Sequence, residues 1–315
     1  MEALREQILI LISTPIYIVV IGLEVLWSNL QHRKAYTWRD TFSNLYLMLS
    51  NAGIDLAFRG VYVVALAYFY KYQLISIHNA VAYWLALVLA EDFLFYWLHR
   101  IDHHSRFFWA VHVTHHSSEK FNLSVGFRSS VFQPIYRFIY FIPLALAGFK
   151  PLDIVFVFSA TQIWGILVHT EYIKKMGRFL EYFLVTPSHH RVHHASNPLY
   201  LDRNLGMLLI IWDRMFGTFQ PELEDVDYQP IRYGLTTPLK NPNAVTIIFH
   251  EWRNIGRDVL NTPGWRNKLH YLFGPPGWSP DGRTLTSDQL REKEALMKQQ
   301  TAEAAEIPSE IAAGR

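Results

Sequence analysis

A run of twenty mostly apolar residues near the start of the chain constrains its fold more than any other feature. Residues 8–27 read ILILISTPIYIVVIGLEVLW, which is long enough to cross a bilayer despite Pro15 and Glu24. In lipid a backbone must satisfy its own hydrogen bonds, and a helix does so within one segment. We expect a membrane anchor rather than a secretory signal, because the flank is not net positive and no small-residue cleavage site follows.

Further apolar segments predict an all-α, multi-pass membrane helical bundle. These segments cover residues 42–70, 77–98, 131–148 and 151–168. The last two are separated only by Phe149 and Lys150, which indicates a helical hairpin. Both are of marginal length for a bilayer, so the hairpin either dips into the membrane or crosses it.

The charges beside the first apolar segment predict an orientation. Arg33, Lys34 and Arg39 follow it, and basic loops are retained in the cytosol. Counting the crossings from there returns the chain to the cytosol at His99, and the hairpin delivers His169 to the same side. We therefore expect every histidine-rich stretch to face the cytosol.

The composition changes along the chain and predicts three regions. Residues 1–90 are expected to form membrane-anchoring helices. Residues 91–220 are expected to carry the chemistry and to include the hairpin. Residues 221–315 are expected to form a polar cytosolic cap with a C-terminal tail. Tryptophan is typical of membrane interfaces, so three tryptophans are expected to anchor the cap there. They are Trp252, Trp265 and Trp278.

The overall composition excludes several kinds of site. The chain of 315 residues has no cysteine, which excludes disulfides, thiolate zinc sites, iron–sulfur clusters and a cysteine nucleophile. Its formal net charge is +2 and no block of lysine and arginine stands out, so no nucleic-acid partner is expected. Any metal ion must therefore be held by histidine, aspartate or glutamate.

Histidine is concentrated in one part of the chain. Of the 15 histidines, 11 lie between residues 99 and 194: ten in the patterns HRIDH, HVTHH, HTE and HHRVHH, and His104 directly after the first of these. Residues three and four apart project from one face of an α-helix, so each cluster can aim its imidazoles at one point. Neutral imidazole binds iron, zinc, copper and nickel, which predicts a metal site.

The number of clustered histidines predicts two metal ions rather than one. Zinc takes about four ligands, whereas eight or nine imidazoles suit a two-metal centre with open positions. Aligning HVTHH with HRVHH leaves His189 over, and His104 is surplus beside His103 by the same reasoning. His169 is either a ligand or a group that supports one. The candidate ligands are His99, His103, His112, His115, His116, His190, His193, His194 and His169.

Other polar side chains are candidates for holding a ligand imidazole in place. Asp92 lies seven residues before His99, two turns up the same helix face. A carboxylate near a membrane span is costly, and orienting an imidazole would explain it. The remaining candidates, each with an ordinary surface, pairing or capping role as the alternative, are His104, Glu171, His189 and Asp213.

Several ordered sequence patterns resemble one protein superfamily. HRIDH, WAVHVTHHSSEKFN, TPSHHRVHHASNPLYLDRN and IIWDRMFGTF look like the fatty acid hydroxylase superfamily of integral-membrane sterol desaturases and lipid hydroxylases. Within it, THHSSEKFNLS, HTE and TPSHHRVHH most resemble the alkylglycerol monooxygenase branch, which cleaves ether lipids using tetrahydrobiopterin. The resemblance covers about residues 92–221.

The resemblance implies a non-haem di-iron site that is held by the clustered histidines and reacts with O2. Side-chain acid–base catalysis cannot ionise an unactivated C–H bond, which is why a redox metal is needed. The chain has no Rossmann fingerprint and no cysteine, so we expect an external electron donor: a cytochrome, a ferredoxin or tetrahydrobiopterin. A separate reductase or electron-carrier protein is the expected partner.

The expected reaction is hydroxylation of a fatty acyl, sterol or ether-lipid chain, with desaturation at the same site as the alternative. Two alternatives without catalysis are a metal transporter and a metal-binding scaffold. A transporter would need polar residues along several spans, and a degenerate scaffold would have lost ligands. The lack of cysteine and the compact set of spans favour a bacterial inner membrane over the endoplasmic reticulum.

Overall fold

The fold is built from helices. A computed structural model describes residues 2–224 and 226–313, and within these ranges the ordered elements are helices together with two isolated β-bridges. The α-helices are α1 Glu2–Leu30, α2 Trp38–Tyr70, α3 Ala80–His104, α4 Arg106–His116, α5 Gln133–Tyr136, α6 Ile142–Leu146, α7 Pro151–Leu167, α8 Arg178–Phe183, α9 Pro187–His193, α10 Ile211–Phe216, α11 Ala244–Asn261, α12 Trp265–Phe273 and α13 Ser287–Ala313. Short 3-10 helices cover Leu123–Phe127, Arg137–Phe141 and Pro198–Tyr200.

Three of these helices are long and apolar enough to cross a membrane. The apolar stretches are Gln7–Leu30, Trp38–Tyr70 and Ala80–His104, which confirms the three predicted spans. Side-chain caps fix where two of them begin, because Thr37 accepts a hydrogen bond from the N–H of Asp40 and Asn79 accepts one from Ala82. Many large apolar side chains on these helices are exposed in the isolated protein, as lipid-facing helices require.

The predicted hairpin forms only in its second arm. α7 is one helix of 17 residues, whereas residues 131–148 form α5, a 3-10 helix and α6 in succession. Pro134 and Pro143 lie in this arm, and proline lacks the N–H that a continuous helix needs. The expectation of one apolar helix over residues 131–148 is therefore wrong.

The end of α1, the start of α2 and the end of α3 lie at the same end of the bundle. Glu24 of α1 accepts hydrogen bonds from the N–H of Leu123 at 2.9 Å and the hydroxyl of Thr170 at 2.5 Å. Arg128 is 1% exposed and donates to Asp40 and Asn44 of α2, at 3.0 and 2.7 Å. Buried polar groups of this kind must be paired, so they fix the helix ends around one site.

The region after Pro221 is less regular but still contains three helices. α11 buries Ile247, Ile248 and Ile255, and Leu47 of α2 lies in the same core cluster as the first two. α13 continues as a helix to Ala313, and the last two residues of the predicted tail lie outside the described residues. The far C-terminal part is thus helical as far as it is described.

Candidate metal centre

All nine histidines that the sequence nominates as ligands converge at one end of the bundle. They form two adjoining groups, and within each group the candidate ligand nitrogens lie within 4.8 Å of one another. The rings of His116 and His194, one from each group, are stacked with centroids 4.5 Å apart. The five-histidine group is His99, His103, His112, His116 and His193, and the four-histidine group is His115, His169, His190 and His194.

Helix geometry divides each H-x2-HH pattern between the two groups. In HVTHH, His112 and His116 are four residues apart and share the five-histidine group, while His115 enters the other. In HRVHH the sharing is reversed: His190 and His194 go to the four-histidine group and His193 to the other. The expectation that each cluster aims at one point is therefore wrong, since the i+3 residue points to the neighbouring group.

Backbone carbonyls fix the tautomer of several imidazoles. A carbonyl oxygen only accepts, so a ring Nδ1 within hydrogen-bond distance of one carries the proton and leaves the lone pair on Nε2. His99 donates to Leu205 at 2.7 Å and His169 donates to Gly165 at 2.8 Å. The same relation holds at 3.0 Å for His115 with Arg128 and His193 with Arg203.

The Nε2 lone pairs then face one another without a proton between them. The Nε2 atoms of His115 and His169 are 3.3 Å apart, and neither can donate because both rings carry their proton on Nδ1. The buried Nε2 atoms of His103 and His193 have no hydrogen-bond partner. Buried lone pairs of this kind are costly unless a cation lies between them, so the two groups fit a pair of transition-metal ions.

Burial keeps these imidazoles in the form that binds metal. Burial lowers the pKa of His115 to about 4. Burial, reinforced by the neighbouring imidazoles, lowers the pKa of His112, His116, His190 and His194 well below the ordinary value. Neutral imidazole is the ligand form, so the site is ready for a metal ion near neutral pH.

The loop Asp202–Gly206 holds three of the five imidazoles in the five-histidine group. The Nδ1 of His103 lies 3.0 Å from a carboxylate oxygen of Asp202, and the loop also supplies the carbonyl acceptors of His193 and His99. Asp202 and Asn204 both have φ of 54°, a left-handed conformation that is unusual for residues other than glycine. Such backbone persists only where its surroundings fix it.

Two buried side chains fix this loop. Asp213 accepts from the N–H of Leu205 at 2.7 Å and of Gly206 at 2.8 Å, and the hydroxyl of Thr218 donates to it at 2.6 Å. The amide of Asn204 donates to the carbonyls of His189 and Gln220 at 3.0 and 2.8 Å. The prediction that Asp213 bonds a ligand histidine is therefore wrong. Asp213 instead holds the backbone of Leu205, whose carbonyl accepts the hydrogen bond from His99.

Asp92 does not contact an imidazole. It accepts from the N–H groups of Leu208 and Leu209 at 2.9 and 3.1 Å and from the indole N–H of Trp212 at 2.9 Å. Seven residues of helix place it about 10 Å from His99 along the axis, too far for a hydrogen bond. Its predicted role in orienting a ligand is corrected to fixing the chain before α10.

The remaining candidates lie beside the two groups. His104 is exposed, and its Nδ1 donates to the carbonyl of Arg100 at 2.9 Å. His189 is buried but caps α9: its Nδ1 accepts from the N–H of Thr186 at 3.3 Å, and its Nε2 lies 3.1 Å from Glu181. The helix-surface alternative is therefore confirmed for His104, whereas it is wrong for His189, which is a buried cap.

Glu171 is linked to the four-histidine group only through aromatic rings. Burial raises the pKa of the Tyr233 hydroxyl, and the nearby carboxylate of Glu171 raises it further. The ring of Tyr233 stacks on Phe121 with centroids 4.9 Å apart, and Phe121 stacks on His169 at 5.4 Å. Glu171 thus supports the ring beside a candidate ligand without touching an imidazole.

Two aspartates at the site were not predicted. Asp202 is 99 positions from His103, so no local spacing indicates the contact. Asp102 lies inside HRIDH and was available to sequence analysis. It is fully buried, accepts from the hydroxyl of Tyr136 at 3.0 Å, and places its other carboxylate oxygen 3.9 Å from the Nδ1 of His112.

Two cavities reach the histidine groups from different sides, and each of the nine histidines lines one of them. A wide cavity of about 1160 Å³ is lined by His103, His116, His193 and His194 and by polar residues from 234–290. A narrow pocket of about 60 Å³ is lined by the other five histidines together with Phe95, Val111, Ile166 and Met207. Both cavities have mixed linings: the narrow pocket also contains Gln133, Arg137 and Gln162, and the wide cavity also contains Leu235, Leu239 and Leu285.

Comparisons with known proteins agree with the geometry. The fatty acid hydroxylase family matches residues 84–218. The alkylglycerol monooxygenase of Homo sapiens is 36% identical over 272 residues, which cover 85% of this chain and 59% of that protein. The Xenopus tropicalis alkylglycerol monooxygenase is 37% identical over 229 residues, or 72% of this chain and 50% of that protein. A Delta(7)-sterol 5(6)-desaturase of Gibberella zeae is 28% identical over 153 residues, 46% of this chain and 45% of the other.

The chain spans between half and three fifths of the length of the two alkylglycerol monooxygenases just named. No solved structure matches it. These relatives are animal and fungal proteins, so they give no support to the expected bacterial inner membrane. The match over residues 84–218 includes every clustered histidine. Residues 84–218 of this chain therefore form a domain of the fatty acid hydroxylase family.

Proposed function

We propose that this protein is a membrane monooxygenase that hydroxylates a C–H bond of a lipid chain at a di-iron site. The observation that carries the proposal is the convergence of nine buried or partly buried imidazoles as two adjoining groups at the end of three apolar helices. The five-histidine group would hold one iron ion and the four-histidine group the other. Imidazole nitrogen suits iron, and no thiolate competes for the site because the chain has no cysteine.

The bound iron pair would supply the redox chemistry that cleaves O2 and attacks an unactivated C–H bond. In the overall reaction, one oxygen atom enters the lipid C–H bond and the other leaves as water. Two electrons and two protons are consumed, and an external donor supplies the electrons. A cytochrome, a ferredoxin or tetrahydrobiopterin is compatible with this balance.

The residues of the chain position the reactants. Phe95, Val111, Ile166 and Met207 form the apolar part of the narrow pocket's wall, against which a lipid chain would lie with its reacting carbon shielded from water. The hydrogen bonds from Nδ1 to the Asp202–Gly206 loop hold the imidazoles of the five-histidine group in one orientation. The wide cavity, whose wall includes the charged residues Glu251, Arg253 and Asp258, suits the lipid headgroup or the electron donor.

The arrangement of the chain supports the three regions that we propose. Residues 1–90 anchor the protein, residues 91–220 contain the histidine groups, and residues 221–315 cover them, since the wide cavity has residues 234–290 in its wall. Arg33, Lys34 and Arg39 lie at the end of the bundle where α1 ends and α2 begins. By the positive-inside rule we place this end, and the histidine groups, at the cytosolic face.

The substrate is proposed to be a fatty acyl, sterol or ether-lipid chain. The ether-lipid class is favoured by the relatives of higher identity, which are named alkylglycerol monooxygenases, and the sterol class by the desaturase relative. Desaturation at the same site is the second candidate reaction for the same reason. It differs in removing two hydrogens from the lipid without adding oxygen.

Iron content and lipid mass test the proposal together. We expect about two iron ions per purified chain. We also expect lipids of cells that express the protein to gain one oxygen atom relative to cells that do not. His193→Ala should lose iron and activity, whereas His104→Ala, which changes an exposed histidine one residue from the ligand set, should keep both.

Each alternative predicts a different result in this experiment. A loss of two hydrogens in the lipid would establish the desaturase. Stoichiometric metal without any change in lipid mass would favour a transporter or a scaffold. Iron close to zero in a folded preparation would contradict the di-iron proposal.

A further inference from the structure

α11 and α12 carry an exposed apolar surface that the histidine groups do not use. The hairpin stripe consists of Val245, Phe249 and Leu260 on α11 and Trp265, Leu269 and Phe273 on α12. These side chains are between 41% and 80% exposed. At 100° per residue the α11 members fall within about 60° of arc, and the α12 members follow at i, i+4 and i+8. A contiguous apolar surface of this kind marks an interaction site.

The stripe is one of three distinct faces of α11. A second face buries Ile247, Ile248 and Ile255 against the protein core. The third face carries polar residues, Arg253 and Arg257 among them, that line the wide cavity. At 100° per residue the stripe occupies the arc between Ile248 on the core face and Arg253 on the cavity face, so α11 stands between the cavity and whatever covers the stripe.

The packing of α11 on α2 fixes the level of the stripe relative to the membrane. α2 has 33 residues and is about 50 Å long, whereas the hydrocarbon core of a bilayer is about 30 Å thick. Its first turns extend beyond the lipid, because Asp40 and Asn44 there bond the buried guanidinium of Arg128. Leu47, which shares a core cluster with Ile247 of α11, follows Asn44 by three residues, or about 4.5 Å along the helix axis. Asn51, one turn further, still donates to the carbonyl of Ser130 at 2.6 Å. α11 therefore packs on the end of α2 that carries these polar contacts, which is the end expected to lie nearest the membrane surface.

The side chains of the hairpin suit that level. Trp265 is 67% exposed, and the guanidinium of Arg266 lies over its ring at 5.6 Å. An exposed aromatic ring beside a cation is typical of the zone where lipid headgroups meet acyl chains. The other two predicted anchors differ: Trp252 packs on Phe107 at 5.2 Å, and Trp278 packs on a histidine ring of α12. Of the three tryptophans, Trp265 alone is an exposed anchor.

We propose that the hairpin stripe lies in the interface of the same membrane that α1, α2 and α3 cross, with α11 as the wall between lipid and the wide cavity. The partner of the stripe is the lipid surface itself. The stripe would occupy this position whatever reaction the histidine groups perform. The apolar side chains gain by leaving water, and the neighbouring arginines remain at the level of the phosphates.

The absence of cysteine allows a direct test in the full chain. Single cysteines are introduced by Leu269→Cys in the stripe, Leu56→Cys in the middle of α2 and Lys293→Cys on the exposed surface of α13. Each variant is labelled with an environment-sensitive fluorophore and reconstituted in phosphatidylcholine vesicles. Phosphatidylcholine with a nitroxide near the headgroup or near the chain end is the quencher.

We expect the label at position 269 to be quenched about twofold more strongly by the shallow nitroxide than by the deep one. The order should be reversed at position 56, and a label at position 293 should be quenched only by aqueous iodide. Iodide quenching at 269 equal to that at 293 would overturn the proposal. A blue-shifted label at 269 that neither nitroxide quenches would also overturn it, because a second copy or another protein would then cover the stripe.

Discussion

His103 and Asp202 are joined by a hydrogen bond of 3.0 Å between the ring Nδ1 and the carboxylate, although 99 positions separate them in the chain. The carboxylate holds the proton on Nδ1 and leaves Nε2, which has no other partner, for a metal ion. Asp202→Asn keeps the size of the side chain and removes its charge. We expect metal affinity of the five-histidine group to fall by about tenfold to a hundredfold.

Metal titration monitored by absorption of cobalt, which substitutes for iron without needing O2, measures this change. Asp227→Asn is the matched control, because Asp227 is exposed and lies outside the site. An unchanged affinity in Asp202→Asn would show that the carboxylate is not needed to hold His103.

Asp213 acts on the five-histidine group indirectly, through the backbone of Leu205, whose carbonyl accepts a hydrogen bond from His99. Its carboxylate accepts from two N–H groups of the loop, so Asp213→Asn turns an amide N–H2 toward a donor. We expect a loss of about 1–3 kcal/mol in the free energy of unfolding and weaker metal binding in the five-histidine group alone. Asp92→Asn is the control, since Asp92 bonds backbone that carries no ligand. Equal loss from both histidine groups would argue against a local effect.

The pH dependence of the metal-free protein follows from the buried imidazoles. The pKa of His115 is lowered to about 4 in the folded protein, while an unfolded histidine has a pKa of about 6.5. Between these values the unfolded chain binds a proton that the folded chain does not. Stability is therefore lost as the pH falls, by up to about 1.4 kcal/mol per pH unit for each such histidine. Thermal unfolding of chelator-treated protein measures it, and a midpoint independent of pH would contradict it.

The tetrad HHRVHH offers a sharp contrast between neighbours. His189 caps α9 and lies beside Glu181, so His189→Ala should cost about 1 kcal/mol of stability and leave the metal content unchanged. His190 lies in the four-histidine group, and His190→Ala should lower metal content with the helix cap intact. Metal analysis and thermal unfolding of both variants separate the roles. Loss of metal in the first variant would place His189 among the ligands.

Sequence reasoning reached the histidines but not what holds them. Their identities and number follow from local patterns, because a helix brings residues three and four apart together. The sequence could not predict that His112 and His115 belong to different histidine groups, because this depends on where α9 lies relative to α4. The acceptors in the Asp202–Gly206 loop are mostly backbone carbonyls, and a carbonyl has no signature in a sequence.

The partners of the buried carboxylates could not be predicted from the sequence either. Asp92 was correctly expected to have a partner, because a buried charge is costly without one. Its partners are the backbone N–H groups of Leu208 and Leu209, however, and not a ligand imidazole. The three spans were predictable because apolar length alone decides them. The broken arm at residues 131–148 was predictable in principle from Pro134 and Pro143, which sequence analysis left out of account.

Gly165 connects the four-histidine group to the narrow pocket. Its carbonyl accepts from the Nδ1 of His169, and a Cβ at this position would lie 2.3 Å from the sulfur of Met207. Methionine is flexible, so Gly165→Ala should change stability little while pushing Met207 into the pocket that both line. We expect turnover to fall about tenfold or more, because a small misplacement of the reacting carbon is costly.

The second substitution Met207→Ala should restore much of this turnover, since it removes the side chain that the new methyl group displaces. Met207→Ala alone is the control for any direct effect of a wider pocket. Turnover and metal content are measured for the two single variants and the double variant. A double variant no more active than Gly165→Ala, with its metal retained, would show that the narrow pocket is not where the lipid chain lies.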